Sequence, residues 1–160
     1  MNSKFHIFNQ ACKQGDILTV AKVYSELTET EDNDLSEDLS DAVNLACLAG
    51  QLEVVRYLAA KIPNDPNLWI PSACESGNID LVKLLLEKSA RNYHQVVQFW
   101  NSALVQASRH TSDLVNLFLP KATDEAVEEA VEHARRNNRD DIVSLLEKEL
   151  ERRREFGDEL

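Results

Sequence analysis

A ten-residue pattern that occurs three times constrains the fold of this chain more than any other feature of its sequence. The stretches QACKQGDILTV (10–20), LACLAGQLEVV (45–55) and SACESGNIDLV (72–82) share an Ala-Cys pair, a glycine three residues after the cysteine, and a valine five residues after the glycine. Three copies of one pattern in 160 residues indicate an internal repeat.

Each copy predicts a pair of antiparallel helices. Apolar residues recur at spacings of three and four on both sides of the glycine, which is the period of an α-helix with one buried face. A glycine between two such segments ends the first helix in the left-handed conformation and lets the chain reverse. The chain has only four glycines and four prolines, too few for a β-sandwich or barrel with many tight turns. The sequence therefore predicts an all-α fold.

Two further units follow the same register but lack the glycine. We call the residue at this position of each unit the turn residue. Val115 lies five residues after His110, and Val143 lies five residues after Asn138. His and Asn are among the residues that best tolerate positive φ, so both can serve as turn residues. We therefore predict five stacked helical hairpins, whose turn residues are Gly15, Gly50, Gly77, His110 and Asn138.

These units resemble the ankyrin repeat, in which Ala-Ala-x-x-Gly precedes a Leu-x-Val-Val-x-x-Leu-Leu run. The resemblance implies a short ankyrin-like solenoid of helical hairpins that spans 1–160 as a single domain. The chain departs from the family in two ways: the Thr-Pro-Leu-His start is missing, and the turn residues are 35, 27, 33 and 28 residues apart instead of 33. We therefore expect degenerate repeats with shortened or lost fingers. A TPR-like or other helical-hairpin solenoid is the alternative.

Acidic residues dominate the charge of the chain, whose net charge is −11. Residues 26–41 carry eight carboxylates, and we expect an acidic loop there. The balance disfavours binding to nucleic acid or to an anionic membrane, both of which require clustered Lys and Arg. A charged, polar helix over 139–155 fits the need of a solenoid for a capping element.

The sequence shows no constellation for catalysis or metal binding. Cys12, Cys47 and Cys74 occupy equivalent positions of stacked helices, which lie about 8–10 Å apart. That distance exceeds the roughly 7 Å that a disulfide allows and scatters the sulfurs too widely for one zinc ion. We expect buried, reduced thiols in a cytoplasmic, reducing compartment, and neither enzymatic activity, nor cofactor, nor metal.

The resemblance also implies where a partner would bind. In ankyrin proteins the concave surface comes from exposed positions of the first helices, which lie five, two and one residues before the turn residue and one after it. Trp69 is added as a candidate exposed anchor, with a place in the core as the alternative. The predicted partner-binding residues are Gln14, Leu45, Leu48, Gln51, Trp69, Glu75, Asn78, Arg109, His133, Arg136 and Arg139.

We therefore expect a monomeric, non-catalytic module that binds a protein partner. The alternative is an inhibitor or regulatory antagonist whose acidic segment 26–41 occupies a basic site. The N-terminal residues lack the features of a secretory signal. Short diverged ankyrin proteins of this kind also resemble effectors that intracellular bacteria deliver into host cells, which gives translocation into a host cell as a further hypothesis.

Overall fold

The computed structural model describes residues 3–29, 35–89 and 97–157. Within these ranges the regular structure is entirely helical, which confirms the predicted fold class. The α-helices are α1 (Ser3–Gln14), α2 (Ile17–Thr28), α3 (Ser36–Leu48), α4 (Leu52–Ala59), α5 (Ile70–Ser76), α6 (Ile79–Ser89), α7 (Val97–Ala107), α8 (Ser112–Phe118), α9 (Asp124–Arg136) and α10 (Asp140–Gly157). Short 3-10 turns precede α5 and follow α8, at Pro66–Trp69 and Leu119–Lys121.

The chain divides into an N-terminal unit, Met1–Ala90, and a C-terminal unit, Arg91–Leu160. The first contains three helical hairpins (α1–α2, α3–α4 and α5–α6), and the second contains two (α7–α8 and α9–α10). The single domain predicted over 1–160 stays a prediction. The connections before α5 and after α8 contain no strand, as expected for shortened fingers.

Two layers of helices form the N-terminal unit. The first helices pack in the order α1, α3, α5, and the second helices pack in the order α2, α4, α6. Between the layers lie the periodic apolar residues, among them Leu58, Leu81 and Leu85, which are fully buried. Each such side chain contributes about 1.5–3 kcal/mol through its burial. The repeated cysteines lie in the same core, where they act as small apolar residues.

In the C-terminal unit, α7 packs against α9, and α10 packs against both α8 and α9. One arginine of α10 fixes the connection between the two hairpins. Arg153 donates to the carbonyl oxygens of Leu119 at 2.7 Å and Ala122 at 2.8 Å, and it pairs with the carboxylates of Asp124 and Glu149, both at 2.8 Å. Its side chain is only 17% exposed, so these contacts are largely shielded from water. The predicted capping helix over 139–155 corresponds to α10, whose capping role stays a prediction.

The hairpin turns explain the repeated glycine. Gly15, Gly50 and Gly77 have φ of +76°, +69° and +74°, a left-handed conformation that side chains disfavour. After two of these glycines, and also after Asn138, the next backbone N–H donates to a carbonyl five residues earlier at 2.9–3.0 Å. This bond is the Schellman closure of a helix end. Asn138, with φ of +55°, therefore acts as a turn residue, as its position in the sequence predicts.

His110 does not act as a turn residue, and that prediction is wrong. Among the described residues Asn138 is the only non-glycine with positive φ. The reason is a register shift by one residue in α7. Leu104, Ala107 and Ser108 are fully buried at the spacing of Ile70, Ala73 and Cys74 in α5, so the link to α8 is one residue shorter than after Cys74. Ser108 therefore takes the place of the cysteine, and its hydroxyl donates to the carbonyl of Val105 at 2.6 Å.

Both described ends of the acidic segment 26–41 are largely helical, whereas a loop was predicted there. Its first residues, up to Thr28, belong to α2, and its residues from Ser36 onward belong to α3. Leu27 and Leu39 explain this difference, because both are buried in the core and extend the two helices into the segment. Residues 30–34 lie outside the described residues.

Candidate functional site

The exposed sides of α1, α3 and α5 make one surface of the N-terminal unit, which we call the first-helix surface. Four predicted site residues lie on it: Gln14 at the end of α1, Leu45 and Leu48 on α3, and Glu75 on α5. Leu48 is 40% exposed and Leu45 is half-buried, whereas Gln14 and Glu75 are exposed. Because α3 is the middle helix of the layer and Leu48 is its last residue, Leu48 lies at the turn end of the layer, between the ends of α1 and α5.

Gln51 and Asn78 connect neighbouring repeats. The Gln51 amide donates from Nε2 to the carbonyl of Lys13 at 2.9 Å, and the Asn78 amide donates from Nδ2 to the carbonyl of Gly50 at 3.2 Å. Asn78 also caps α6 by accepting from the N–H of Leu81 at 3.1 Å. Each side chain therefore provides a hydrogen bond to a carbonyl at or just after the end of the first helix in the preceding repeat. Both are half-buried, and their structural contacts weaken the prediction that they bind a partner.

Trp69 is not an exposed anchor, and that prediction is corrected. Its side chain is 1% exposed, and its indole N–H donates to Ser40 Oγ at 3.2 Å. Nearby, Ser72 Oγ donates to Asn44 Oδ1 at 2.6 Å across the same pair of helices, α3 and α5. Pro66 and the 3-10 turn direct the indole inward before α5 begins, so Trp69 belongs to the core between these helices.

In the C-terminal unit the four predicted residues lie on or beside α7 and α9. Arg136 is exposed and pairs with Glu132 on the same helix at 3.1 Å. Arg139 binds both oxygens of Asp141, at 3.1 and 2.9 Å, and donates from Nη1 to the carbonyls of Arg109 (3.2 Å) and His110. Arg139 therefore joins repeats in the same way as Gln51 and Asn78. Because Arg136 and Arg139 form salt bridges, they offer a partner less free positive charge than the sequence suggests.

Arg109 and His133 differ from their neighbours. Both side chains are half-buried, and one nitrogen of each is fully buried: Nε of Arg109 and Nδ1 of His133. Neither atom has a hydrogen-bond partner within the described part of the chain. Buried polar atoms are seldom left unpaired, and Asn9 Oδ1 on α1 and Gln106 Oε1 on α7 are unpaired in the same way.

Leu18 is an exposed apolar residue that the sequence analysis missed. It lies on α2 and is 80% exposed, more than any other large apolar residue described. The signal was present in the register, because the residue two places before the repeated valine is acidic in the other four repeats. These acidic residues are Glu53, Asp80, Asp113 and Asp141.

The thiols of the core are chemically inert in the folded protein. Burial raises the pKa of Cys12 and of Cys47 to about 12 and raises the pKa of Cys74 as well. A thiol with such a pKa stays protonated near neutral pH and is a poor nucleophile. Within the described residues no three His, Cys, Asp or Glu side chains come together as metal ligands. The same residues include no helix with the length and hydropathy of a membrane span.

The comparison with protein families agrees with this architecture. A family model described as ankyrin repeats (3 copies) matches residues 8–96, which is more than half of the chain. The chain therefore belongs to the ankyrin repeat family, whose members are generally protein–protein interaction modules and typically non-catalytic. No curated protein and no solved structure matches the chain significantly.

Proposed function

We propose that this chain is a non-catalytic module that holds a protein partner on the first-helix surface, with Leu48 as the central apolar contact. The observation that carries the proposal is the exposure of Leu48 at the end of α3, between the ends of α1 and α5. Residues that dominate binding energy cluster near the centre of an interface and are surrounded by contacts that exclude water. Gln14 on one side and Glu75 on the other provide polar groups at the rim.

The family supports this proposal at the level of protein binding. The described residues form no metal-ligand cluster, and the three thiols are protonated. Neither feature favours a catalytic function over protein binding. The net charge of −11 makes a protein partner a better fit than nucleic acid or an anionic membrane. We further propose that the chain acts as a monomer in a reducing compartment, where its cysteines remain thiols.

The second candidate is an antagonist that uses its acidic segment to occupy a basic site. Glu37, Asp38 and Asp41 favour it, because all three are exposed on the first half of α3. No Lys or Arg lies between Lys22 and Arg56 to neutralise them in sequence. An effector delivered into a host cell could use either surface, so that hypothesis concerns the origin of the protein and not the location of its site.

A single substitution with a matched control tests the first proposal. Leu48→Glu places a charge on the first-helix surface between Gln14 and Glu75, and Leu18→Glu places the same charge on an exposed leucine of α2. Immobilised wild-type and variant proteins are used to capture proteins from a lysate, with quantification by mass spectrometry. Partners lost with Leu48→Glu and kept with Leu18→Glu would support the proposal. Equal capture by the wild type and Leu48→Glu would reject it.

Charge reversal separates the antagonist from the module. A triple variant, Glu37→Lys, Asp38→Lys and Asp41→Lys, changes the charge of the segment while leaving Leu39 in place to hold α3. Deletion of residues 26–41 would remove parts of two helices and is therefore a poorer test. Loss of capture in the triple variant alone would favour the antagonist. Arg153→Ala, which lies outside the predicted partner-binding residues, serves as a structural control that should lower stability while leaving capture intact.

A further inference from the structure

The residues two places before the turn residue change in charge across the N-terminal unit. They are Lys13 near the end of α1, Leu48 at the end of α3 and Glu75 near the end of α5, and all three are exposed. Because α3 packs between α1 and α5, Leu48 lies between a cation and an anion on the first-helix surface. We call these three residues the Lys-Leu-Glu row.

Hydrogen bonds between the repeats hold the three helix ends side by side. The Gln51 amide, just after α3, donates to the carbonyl of Lys13 itself at 2.9 Å. The Asn78 amide, just after α5, donates to the carbonyl of Gly50 at 3.2 Å. Packed helices have axes about 8–10 Å apart, so the three side chains of the row project from the layer at steps of about 8–10 Å.

The surface on both sides of the row is neutral. The residues one and five places before the turn residue carry no charge in this unit; they are Gln10, Gln14, Leu45, Ala49, Ser72 and Ser76. Asp16, next to the first turn residue, uses its carboxylate to cap α2, accepting from the N–H and the hydroxyl of Thr19 at 3.1 and 2.6 Å. Asp41 precedes Leu48 by seven residues, about 10 Å along α3, which is the distance over which roughly 0.1 M salt screens exposed charges. The two charges of the row therefore determine the electrostatic preference beside Leu48.

We infer that the protein partner binds the Lys-Leu-Glu row through a segment that carries an acidic, an apolar and a basic side chain in that order, at steps of about 8–10 Å. The acidic group pairs with Lys13 Nζ, the apolar group covers Leu48, and the basic group pairs with the Glu75 carboxylate. A segment with the same charge at both ends would bring like charges together at one end of the row, which disfavours binding.

This inference rests on the proposed protein-binding function and names the chemistry of the partner. It also differs from what the net charge of −11 alone predicts, which is a partner segment that is basic throughout. The two expectations are separated by peptides that differ only in charge.

The probes are three peptides on one rigid scaffold. A polyproline II helix has about three residues per turn and rises about 3.1 Å per residue, so every third side chain lies on the same side at steps of about 9 Å. Each peptide has a charged residue, a leucine and a second charged residue at every third position, with prolines between them and both termini blocked. The mixed peptide carries one glutamate and one lysine, and the two controls carry two glutamates or two lysines.

Binding to the full chain is followed through ¹⁵N amide shifts at the three residues of the row. We expect the mixed peptide to bind about threefold to tenfold more tightly than either control, because each control exchanges one exposed ion pair for a repulsion. Equal affinity for all three peptides, or tightest binding of the peptide with two lysines, would overturn the inference. Absence of a shift at Leu48 with the mixed peptide would overturn it as well.

Charge reversal should change the preference in a defined direction. Lys13→Glu should make the peptide with two lysines the tightest ligand, and Glu75→Lys should do the same for the peptide with two glutamates. Lys22→Glu is the matched control, because it makes the same change of charge at an exposed residue of α2 and should keep the preference for the mixed peptide. If Lys22→Glu alters the preference as much as Lys13→Glu, net charge decides and the row does not. Amide spectra verify that each variant is folded.

The outcomes separate this inference from the proposed function. If lysate capture depends on Leu48 while the peptides bind without a preference among charges, only the order of charges is rejected. If Leu48→Glu leaves capture unchanged, the proposed function itself fails, whichever peptide binds most tightly.

Discussion

Among the described residues, the side chains that donate to a backbone carbonyl of the preceding repeat are neutral amides in the N-terminal unit and arginines in the C-terminal unit. Gln51 and Asn78 donate to the backbone of the preceding repeat in the first unit. Arg139 makes the equivalent contact in the second unit at the turn between α7 and α8, and Arg153 adds two bonds to carbonyls and an ion pair with Asp124 around the link between α8 and α9. An arginine offers five donors and reaches several acceptors, while an amide offers two.

The comparison shows that one architecture tolerates two kinds of connection between repeats. The family model ends at residue 96, before the first helix of the C-terminal unit. That unit keeps hairpins and buried small residues but lacks the Ala-Cys-x-x-Gly signature. The glycine-based sequence pattern is therefore absent where charged side chains and a shorter link connect the helices and repeats instead.

Among substitutions that test this difference between the units, removal of Arg153 should have the largest effect on stability. Arg153→Ala leaves two backbone carbonyls and the carboxylates of Asp124 and Glu149 with fewer partners, and we expect a loss of about 2–4 kcal/mol in the free energy of unfolding. Arg154→Ala is the matched control, because Arg154 is exposed and its contact with Glu128 is 3.7 Å long. Urea denaturation measures both. A loss below about 1 kcal/mol in Arg153→Ala would contradict the structural role of this arginine.

A medium effect should appear in acid. Hydrogen bonds from Arg152 and Arg153, with their positive charges, lower the pKa of Glu149 from 4.5 to about 2. Because the folded-state pKa is depressed, the stability it contributes is present above pH 4.5 and is lost as the pH falls toward 2. The stability gap between the wild type and Glu149→Gln should therefore shrink by about 2 kcal/mol between pH 6 and pH 3.

The amide contacts of the N-terminal unit supply the comparison for this measurement. Gln51→Ala removes a neutral donor, so its stability gap from the wild type should stay constant over the same pH range. Denaturation curves at several pH values test both variants. A gap that stays constant for Glu149→Gln as well would show that its carboxylate gains nothing from the two arginines.

The smallest effects should distinguish the turn residues. Gly15→Ala and Asn138→Ala each place an ordinary side chain at positive φ, at a cost of about 1–2 kcal/mol. Gly15→Ala should be the more damaging, because a Cβ at this position would clash with Gln51 Oε1 and displace the side chain that donates to Lys13. Asn138→Gly should be nearly neutral, since glycine accepts the same backbone conformation. Thermal unfolding ranks the three variants, and a larger loss in Asn138→Gly than in Gly15→Ala would reverse this interpretation.

The fold was predictable from the sequence wherever local chemistry determines the backbone. Three glycines and Asn138 lie at the predicted left-handed positions, and the apolar spacing located the helices on both sides. His110 failed because the turn residue was assigned from its spacing to Val115 and to Ala103, and neither spacing reveals a one-residue deletion in the link before α8. The acidic segment was predicted as a loop because charge suggested exposure, whereas Leu27 and Leu39 provide the burial that continues the helices.

The candidate site was only partly predictable, because register gives the face of a helix but not the partner of a side chain. Leu48 and Gln14 lie on the expected surface. Gln51, Asn78 and Arg139 lie at the expected positions too, but their contacts reach backbone atoms 28–38 residues away, which no local pattern reveals. Trp69 was ambiguous for the same reason, since its burial depends on Ser40 of a neighbouring helix.

The three buried thiols make the opening of each repeat in the N-terminal unit measurable by alkylation. Alkylating reagents attack a thiolate, so Cys12, Cys47 and Cys74 are modified only during the intervals when the surrounding helices separate. The rate at each position then measures how often one repeat opens, without any introduced probe. Within this unit α1 has a neighbouring first helix on one side and α3 on both sides, so labelling should begin at the first repeat and reach the middle one later. The labelling rates of the three cysteines thus record the order in which the repeats separate.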